Sequence, residues 1–283
     1  MVKEVKLAVL VEDTIGMDRP DLLAKHGVSF FVEAKTSDGE VSIMMDTGPS
    51  PILLHNADKM GVDLRKIGVI MLSHAHYDHT GGLIEALKRI EKRVPVIAHP
   101  KIFDPKFKVK PSLTFIGSPF KLSDLETAGG VPVLATSPVK IAEGIMSSGE
   151  VERKMAFEKV EGFWTVDDGR FVEDTMPDDQ ALIINVEGKG LVVVAGCAHS
   201  GIINTVKHAQ KITEMNRVYA VLGGFHLRDA DDNRIQATVD ELAKFDLEFI
   251  GPCHCTGSKA INQFVKAFGD HCRPLQTGNV VKF

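Results

Sequence analysis

The chain has 283 residues, 44% hydrophobic and 25% charged, with a formal net charge of −5. This balance suits a folded protein with room for one large or two small domains, and the dispersed Lys and Arg residues leave no basic face for nucleic acid. No apolar run approaches the roughly 18–20 residues of a membrane span, and Met1-Val2-Lys3-Glu4 lacks a signal peptide's apolar core, so a cytoplasmic protein is expected. Four cysteines, Cys197, Cys253, Cys255 and Cys272, make no disulfide framework in a chain of this size and read as reduced thiols.

In chain order, apolar alternation predicts strands at Val5–Val11, Val28–Ala34 and Val41–Met45, the last running into Asp46-Thr47-Gly48. Val69-Ile70-Met71-Leu72 reads as a short buried strand, and Leu83, Leu87 and Ile90 mark a helix by their i, i+4, i+7 spacing. Val94–Ala98 closes this first set. From about 100 to 177 Pro, Gly and charge are frequent and patterns are short, apart from Val131–Ala135; this stretch reads as a connection carrying a lid-like insert at about 149–174. The second set opens with a hairpin, Ala181–Val186 and Leu191–Ala195, around Glu187-Gly188-Lys189-Gly190. A helix through Ile202, Val206 and Ala209, the strand Val218–Leu222 and a helix through Ile235, Val239 and Leu242 follow. The strand Glu248–Ile250, a helix through Ile261, Val265 and Phe268, and the strand Asn279–Phe283 complete the chain. Two similar half-sets suggest one domain over 1–283, a sandwich of two sheets with helices outside.

Between the strand ending at Leu72 and the helix beginning near Leu83 lies Ser73-His74-Ala75-His76-Tyr77-Asp78-His79-Thr80-Gly81-Gly82. Three imidazoles and a carboxylate within six positions point to metal. On an extended loop His74 and His76 face the same way and can hold one ion, while Asp78 and His79, turned by the helix start, face a second. Further imidazoles follow the second-set strands: His199 in Gly196-Cys197-Ala198-His199, His226 in Gly223-Gly224-Phe225-His226, and His254 in Pro252-Cys253-His254-Cys255-Thr256-Gly257. Strand carboxyl ends in layered α/β folds converge on one rim, where loops carry chemistry. Cys253 and Cys255 read as small buried fillers. His26, His55, His208 and His271 lack any such context and read as surface or satisfied residues.

The His-x-His-x-Asp-His order resembles the signature of the metallo-β-lactamase superfamily. That resemblance implies an α/β fold, a four-layer αββα sandwich with two mixed sheets inside, and two divalent metal ions at one edge. His74 and His76 match its first-site ligands, and Asp78 and His79 its second-site ligands. His254 matches the last second-site histidine, and Asp46 the carboxylate that buttresses the site from behind. The middle departs from the family pattern, with Pro177-Asp178-Asp179-Gln180 before the hairpin and Gly196-Cys197-Ala198-His199 after it. His199 is the expected ligand there; Asp179 stands in place of an upstream histidine and Cys197 nearest the bridging position.

The five polar motifs together resemble more narrowly the 7,8-dihydropterin-6-methyl-4-(β-D-ribofuranosyl)aminobenzene 5′-phosphate synthase-like subgroup, over nearly the whole chain. The activity implied joins a dihydropterin methyl diphosphate to a ribofuranosylaminobenzene phosphate in methanopterin biosynthesis. The alternatives are a dinuclear metal-dependent hydrolase of phosphate esters, in which Asp78 positions water as well as binding metal, and a non-catalytic metal or redox module. The donor set favours zinc and also admits manganese, iron or magnesium. The expected partner is a small anionic, phosphorylated substrate. His226, Arg153 in the insert near Phe157, Phe163 and Trp164, and Thr256 are its candidate contacts, aided by N–H groups at the helix starts after Ser200-Gly201 and Thr256-Gly257.

Overall fold

Strand Val2–Val11 carries Val5, Leu7 and Val9 on one face and Ala8 and Leu10 on the other, and all five are buried. A strand apolar on both faces needs cover on both sides. In the computed structural model, which describes all 283 residues, the first face joins Phe30, Val32, Leu182, Ile184, Val192, Val194, Ala220 and Leu222 in the central core. The second face packs with Leu53 of the helix Ile52–Lys59 and with Leu83, Leu87 and Ile90 of the helix Leu83–Ile90.

The second half repeats the arrangement. Leu182 and Ile184 of strand Ala181–Val186 point into the central core, whereas Ile183 points outward with Val193 and Val221. That outer layer meets Ile202 and Val206 of helix Ile202–Thr213, Ile235 and Leu242 of helix Asp232–Leu242, and Phe264 of helix Ser258–Phe268. Helix, sheet, sheet, helix is therefore the layer order. The two sheet halves are hydrogen-bonded into one continuous sheet through the parallel register Val2↔Val186. The strand Val280–Lys282 then returns from the second half to pair antiparallel with Val2–Val11.

The region from 100 to 177 holds more regular structure than its sequence predicts. Beside Gly130–Leu134 it contains the helix Leu122–Thr127 and the short strands Lys140–Ala142 and Ile145–Ser147. A separate small sheet forms from Lys106–Lys108, Thr114–Phe115, Phe163–Asp167 and Arg170–Glu173. Strands of two to five residues show too little alternation to read, and the pairing of Phe163 with Lys108 joins segments far apart in sequence. Within the expected insert only residues 163–173 form this hairpin; Lys154 and Met155 instead donate backbone N–H groups to Asn204 Oδ1, tying that segment to helix Ile202–Thr213. Helix Ile52–Lys59 also lies outside the predicted elements.

Candidate metal centre

Strand Val69–Met71, the parallel neighbours Val218–Gly224 and Phe249–Cys253, and Gly190–Ala195 all end on one rim, each followed by histidine. His74, His76, Asp78, His79, His199 and His254 are all buried there. The rings of His74 and His76 lie 4.6 Å apart, with His199 4.7 and 4.9 Å from them and His226 4.2 Å beyond His199. Donor nitrogens of His74, His76 and His199 lie within 4.8 Å of one another. On the adjoining side His79 Nε2 is 3.3 Å from His254 Nε2, and Asp78 Oδ2 is 3.5 Å from His254 Nε2 and 3.8 Å from His79 Nε2. Cys197 stands between the groups, its Sγ 3.1 Å from His79 Nε2 and within ligand range of His199 and His226.

Carboxylates hold these imidazoles from behind. Asp46 accepts from His79 Nδ1 at 2.7 Å, from Ser73 N at 2.7 Å and from Ser73 Oγ at 2.6 Å. Glycine is needed at 196, where a Cβ would run into the Ser73 hydroxyl. The His-x-His loop has a second anchor in Asp178, which accepts from Ala75 N at 2.8 Å and from Lys106 Nζ at 2.8 Å. Lys106 Nζ also meets Asp174 at 2.7 Å, and all three side chains are buried. Burial works against the ammonium of Lys106, but Asp178 and Asp174 outweigh it and raise its pKa. Asp13 does for His254 what Asp46 does for His79, accepting from Nδ1 at 2.7 Å. An ionised carboxylate only accepts, so Nδ1 of each carries a proton and Nε2 is the nitrogen turned toward the rim.

The electrostatics fit a cation. Burial, reinforced by charge on neighbouring histidines, holds His74 and His199 well below the usual histidine range; burial lowers His76 likewise, against the opposing pull of Asp78. At His79 burial is outweighed by Asp46 and Asp78, which raise its pKa. His76 Nε2, both ring nitrogens of His199 and His226 Nδ1 are buried without a hydrogen-bond partner. Buried polar atoms are rarely left so, and several convergent imidazole nitrogens facing one gap are what a divalent ion satisfies.

Not every predicted contact reaches this rim. Asp179 Oδ2 accepts from Ser200 N at 2.8 Å while its Oδ1 is buried without a partner, and burial pushes its carboxyl up to about 6. Arg153 donates to Met176 O and Ser200 Oγ, and Thr256 hydroxyl is used by Phe225 N and Cys253 O; neither lines the cavity over the rim. The helix start after Gly201 is likewise taken, because Ile203 N and Asn204 N both donate at 2.8 Å to Glu158. Burial pushes Glu158 up to about 7. In compensation, the cavity of about 560 Å³ is walled by Lys108, Lys110, Lys159, Arg228 and Arg234 against the carboxylates of Glu161 and Asp229. Phe163 forms its floor, 5.0 Å from His76 and 4.9 Å from His199, with Lys108 Nζ 5.3 Å above the ring. Asp13 and His26 escaped sequence reasoning, since each stands alone in an otherwise ordinary loop; Val11-Glu12-Asp13 directly after a strand end was the one available signal. His55 and His208 do meet backbone carbonyls, at Asp21 and Ser148.

The family profile of the metallo-beta-lactamase superfamily matches residues 24–254. The chain belongs to the metallo-beta-lactamase superfamily. As a member it is an enzyme of a fold that binds divalent metal. It is 39% identical over 290 residues to the 7,8-dihydropterin-6-methyl-4-(beta-D-ribofuranosyl)-aminobenzene-5′-phosphate synthase of Methanocaldococcus jannaschii, covering 100% of this chain and 98% of that one. Among solved structures, a metal-dependent hydrolase of the beta-lactamase superfamily superposes with a TM-score of 0.81 at 24% identity, covering 98% of each chain. A diphosphatase of the PhnP family superposes with a TM-score of 0.53 at 14% identity, covering 100% of this chain and 98% of that chain. At these identities both likenesses speak for the fold alone. No helix is long and apolar enough to cross a membrane.

Proposed function

We propose that this superfamily member is a transferase that joins a dihydropterin methyl diphosphate to a ribofuranosylaminobenzene phosphate, forming the product that its full-length relative is named for. The observation that carries the reading is the cationic, aromatic-floored cavity opening directly over the histidine rim. His74, His76 and His199 would hold one ion and Asp78, His79 and His254 a second, with Cys197 between them; zinc suits the nitrogen, oxygen and sulfur donors. Bound there, such ions supply positive charge for a diphosphate leaving group.

The rest falls to the chain's own side chains. The aromatic amine attacks the pterin methylene, the carbon–oxygen bond to diphosphate breaks, and the amine's proton leaves with the diphosphate. Lys108, Lys110 and Arg234 neutralise the phosphates of the two substrates at the cavity wall. Phe163 offers a flat apolar surface for one of the two rings, and His226, whose Nδ1 has no partner, lines the cavity beside it. Hydrolysis of a phosphate ester is the second reading, favoured by the opening of the same cavity to solvent at Asp78, which would then position water.

Elemental analysis of protein purified without chelators, then assay with the paired pterin and aminobenzene substrates beside a panel of diphosphates and phosphodiesters, separates the readings. Condensation product with pyrophosphate release is expected, with His76→Ala lowering metal occupancy. Hydrolysis of the panel without condensation would favour the hydrolase, and a protein that neither carries nor takes up metal would overturn both.

A further inference from the structure

His26 read from sequence as a surface histidine, and its side chain is indeed 43% exposed. Its ring nevertheless stands 4.6 Å from that of His254 and lines the cavity. His26 Nδ1 is 3.0 Å from Asp13 Oδ2, while His254 Nδ1 is 2.7 Å from the other oxygen, Asp13 Oδ1. One carboxylate thus accepts both Nδ1 protons, and Arg228 fixes it further at 2.9 Å from Oδ2. Burial opposes the charge on Asp13, but the bonds from His254 and His26 hold it well below the usual carboxylate range. With Nδ1 protonated, His26 directs Nε2 to a point 3.3 Å from Asp78 Oδ2.

Ligands at about 2.0–2.2 Å from a tetrahedral ion stand about 3.3–3.6 Å from each other. The separations on this side of the rim are 3.3 Å for His79 to His254, 3.5 Å for His254 to Asp78, 3.8 Å for His79 to Asp78 and 3.3 Å for His26 to Asp78. His26 meets that spacing at Asp78, and in the carboxylate behind its other nitrogen it repeats the pattern of His79 with Asp46 and His254 with Asp13. The backbone is built for the approach. Gly27 sits at φ +140°, where a Cβ would collide with the Asp78 carbonyl oxygen and come within 2.6 Å of Pro49 Cδ; Gly27 N donates to Asp13 Oδ1 at 3.2 Å and Val28 N to Asp78 O at 3.3 Å.

We propose that His26 is a further protein ligand of the second ion beside Asp78, His79 and His254, closing that site from the solvent side. The inference rests on the two-ion reading above. It gives the second site three histidines and one carboxylate beside the shared Cys197, with an outer member that can leave without disturbing the buried ligands.

Metal-stripped full-length protein titrated with Co(II), read by elemental analysis and by the visible absorption of the bound ion, tests this. The native chain should bind two equivalents. His26→Ala should bind the first unchanged and the second about 10–100-fold more weakly, with an altered band for the second equivalent. Its metal-free melting temperature should stay at the native value, because the ring is half outside. Two equivalents of native affinity and an unchanged spectrum in His26→Ala would overturn the assignment while leaving the two-ion reading intact. Loss of both equivalents would make His26 a support of the loop and overturn it equally. A native chain that binds fewer than two equivalents would remove the two-ion reading itself.

Discussion

Asp46 Oδ2 and His79 Nδ1 lie 2.7 Å apart with neither side chain exposed, and the same carboxylate oxygen receives the hydroxyl of Ser73. This one side chain orients a rim imidazole and pins the loop that presents His74. Asp46→Ala should weaken metal binding by about 10–100-fold even though it touches no ion. Titration against a competing chelator reads the effect, and native affinity in the variant would deny Asp46 its orienting role.

His199 has both ring nitrogens buried and unpartnered beside His74 and His76, whereas Cys197 Sγ already meets His79. His199→Ala is therefore expected to lower metal affinity by at least about 10–100-fold, and Cys197→Ser by less. The reverse order in a metal titration would give the central position to Cys197.

His226 follows Gly223-Gly224, lines the cavity and packs 5.6 Å from Phe163. His226→Ala should leave metal content near native and raise KM or lower kcat on a confirmed substrate. Loss of one ion would place His226 among the ligands, a position its nearness to His199 and Cys197 also permits geometrically. Unchanged kinetics would leave it a structural residue.

Lys106 is sealed between Asp174 and Asp178, and Asp178 in turn holds Ala75 N. Lys106→Met removes one charge and strands two buried carboxylates, which should cost about 3–5 kcal/mol of stability. Thermal or urea unfolding measures it. A loss below about 1 kcal/mol would mean that water reaches the three charges, in the manner of an exposed salt bridge.

The chemistry of the rim was legible because its residues are local in sequence: His74, His76, Asp78 and His79 fall within one loop, and His199 and His254 each follow a recognisable apolar strand. The layering was legible too, since Val5, Leu7 and Val9 must face one way and Ala8 and Leu10 the other. Neither pattern specifies which distant segments meet. That His26 stands against Asp78, that Asp13 braces His254 across more than two hundred residues, and that Lys108 and Arg234 wall one cavity while Arg153 turns aside to Met176 are outcomes of chain crossing. A side chain's neighbours along the chain fix its periodicity, but its ligand or partner is chosen by the packing of whole layers, and only the folded sandwich brings those layers together.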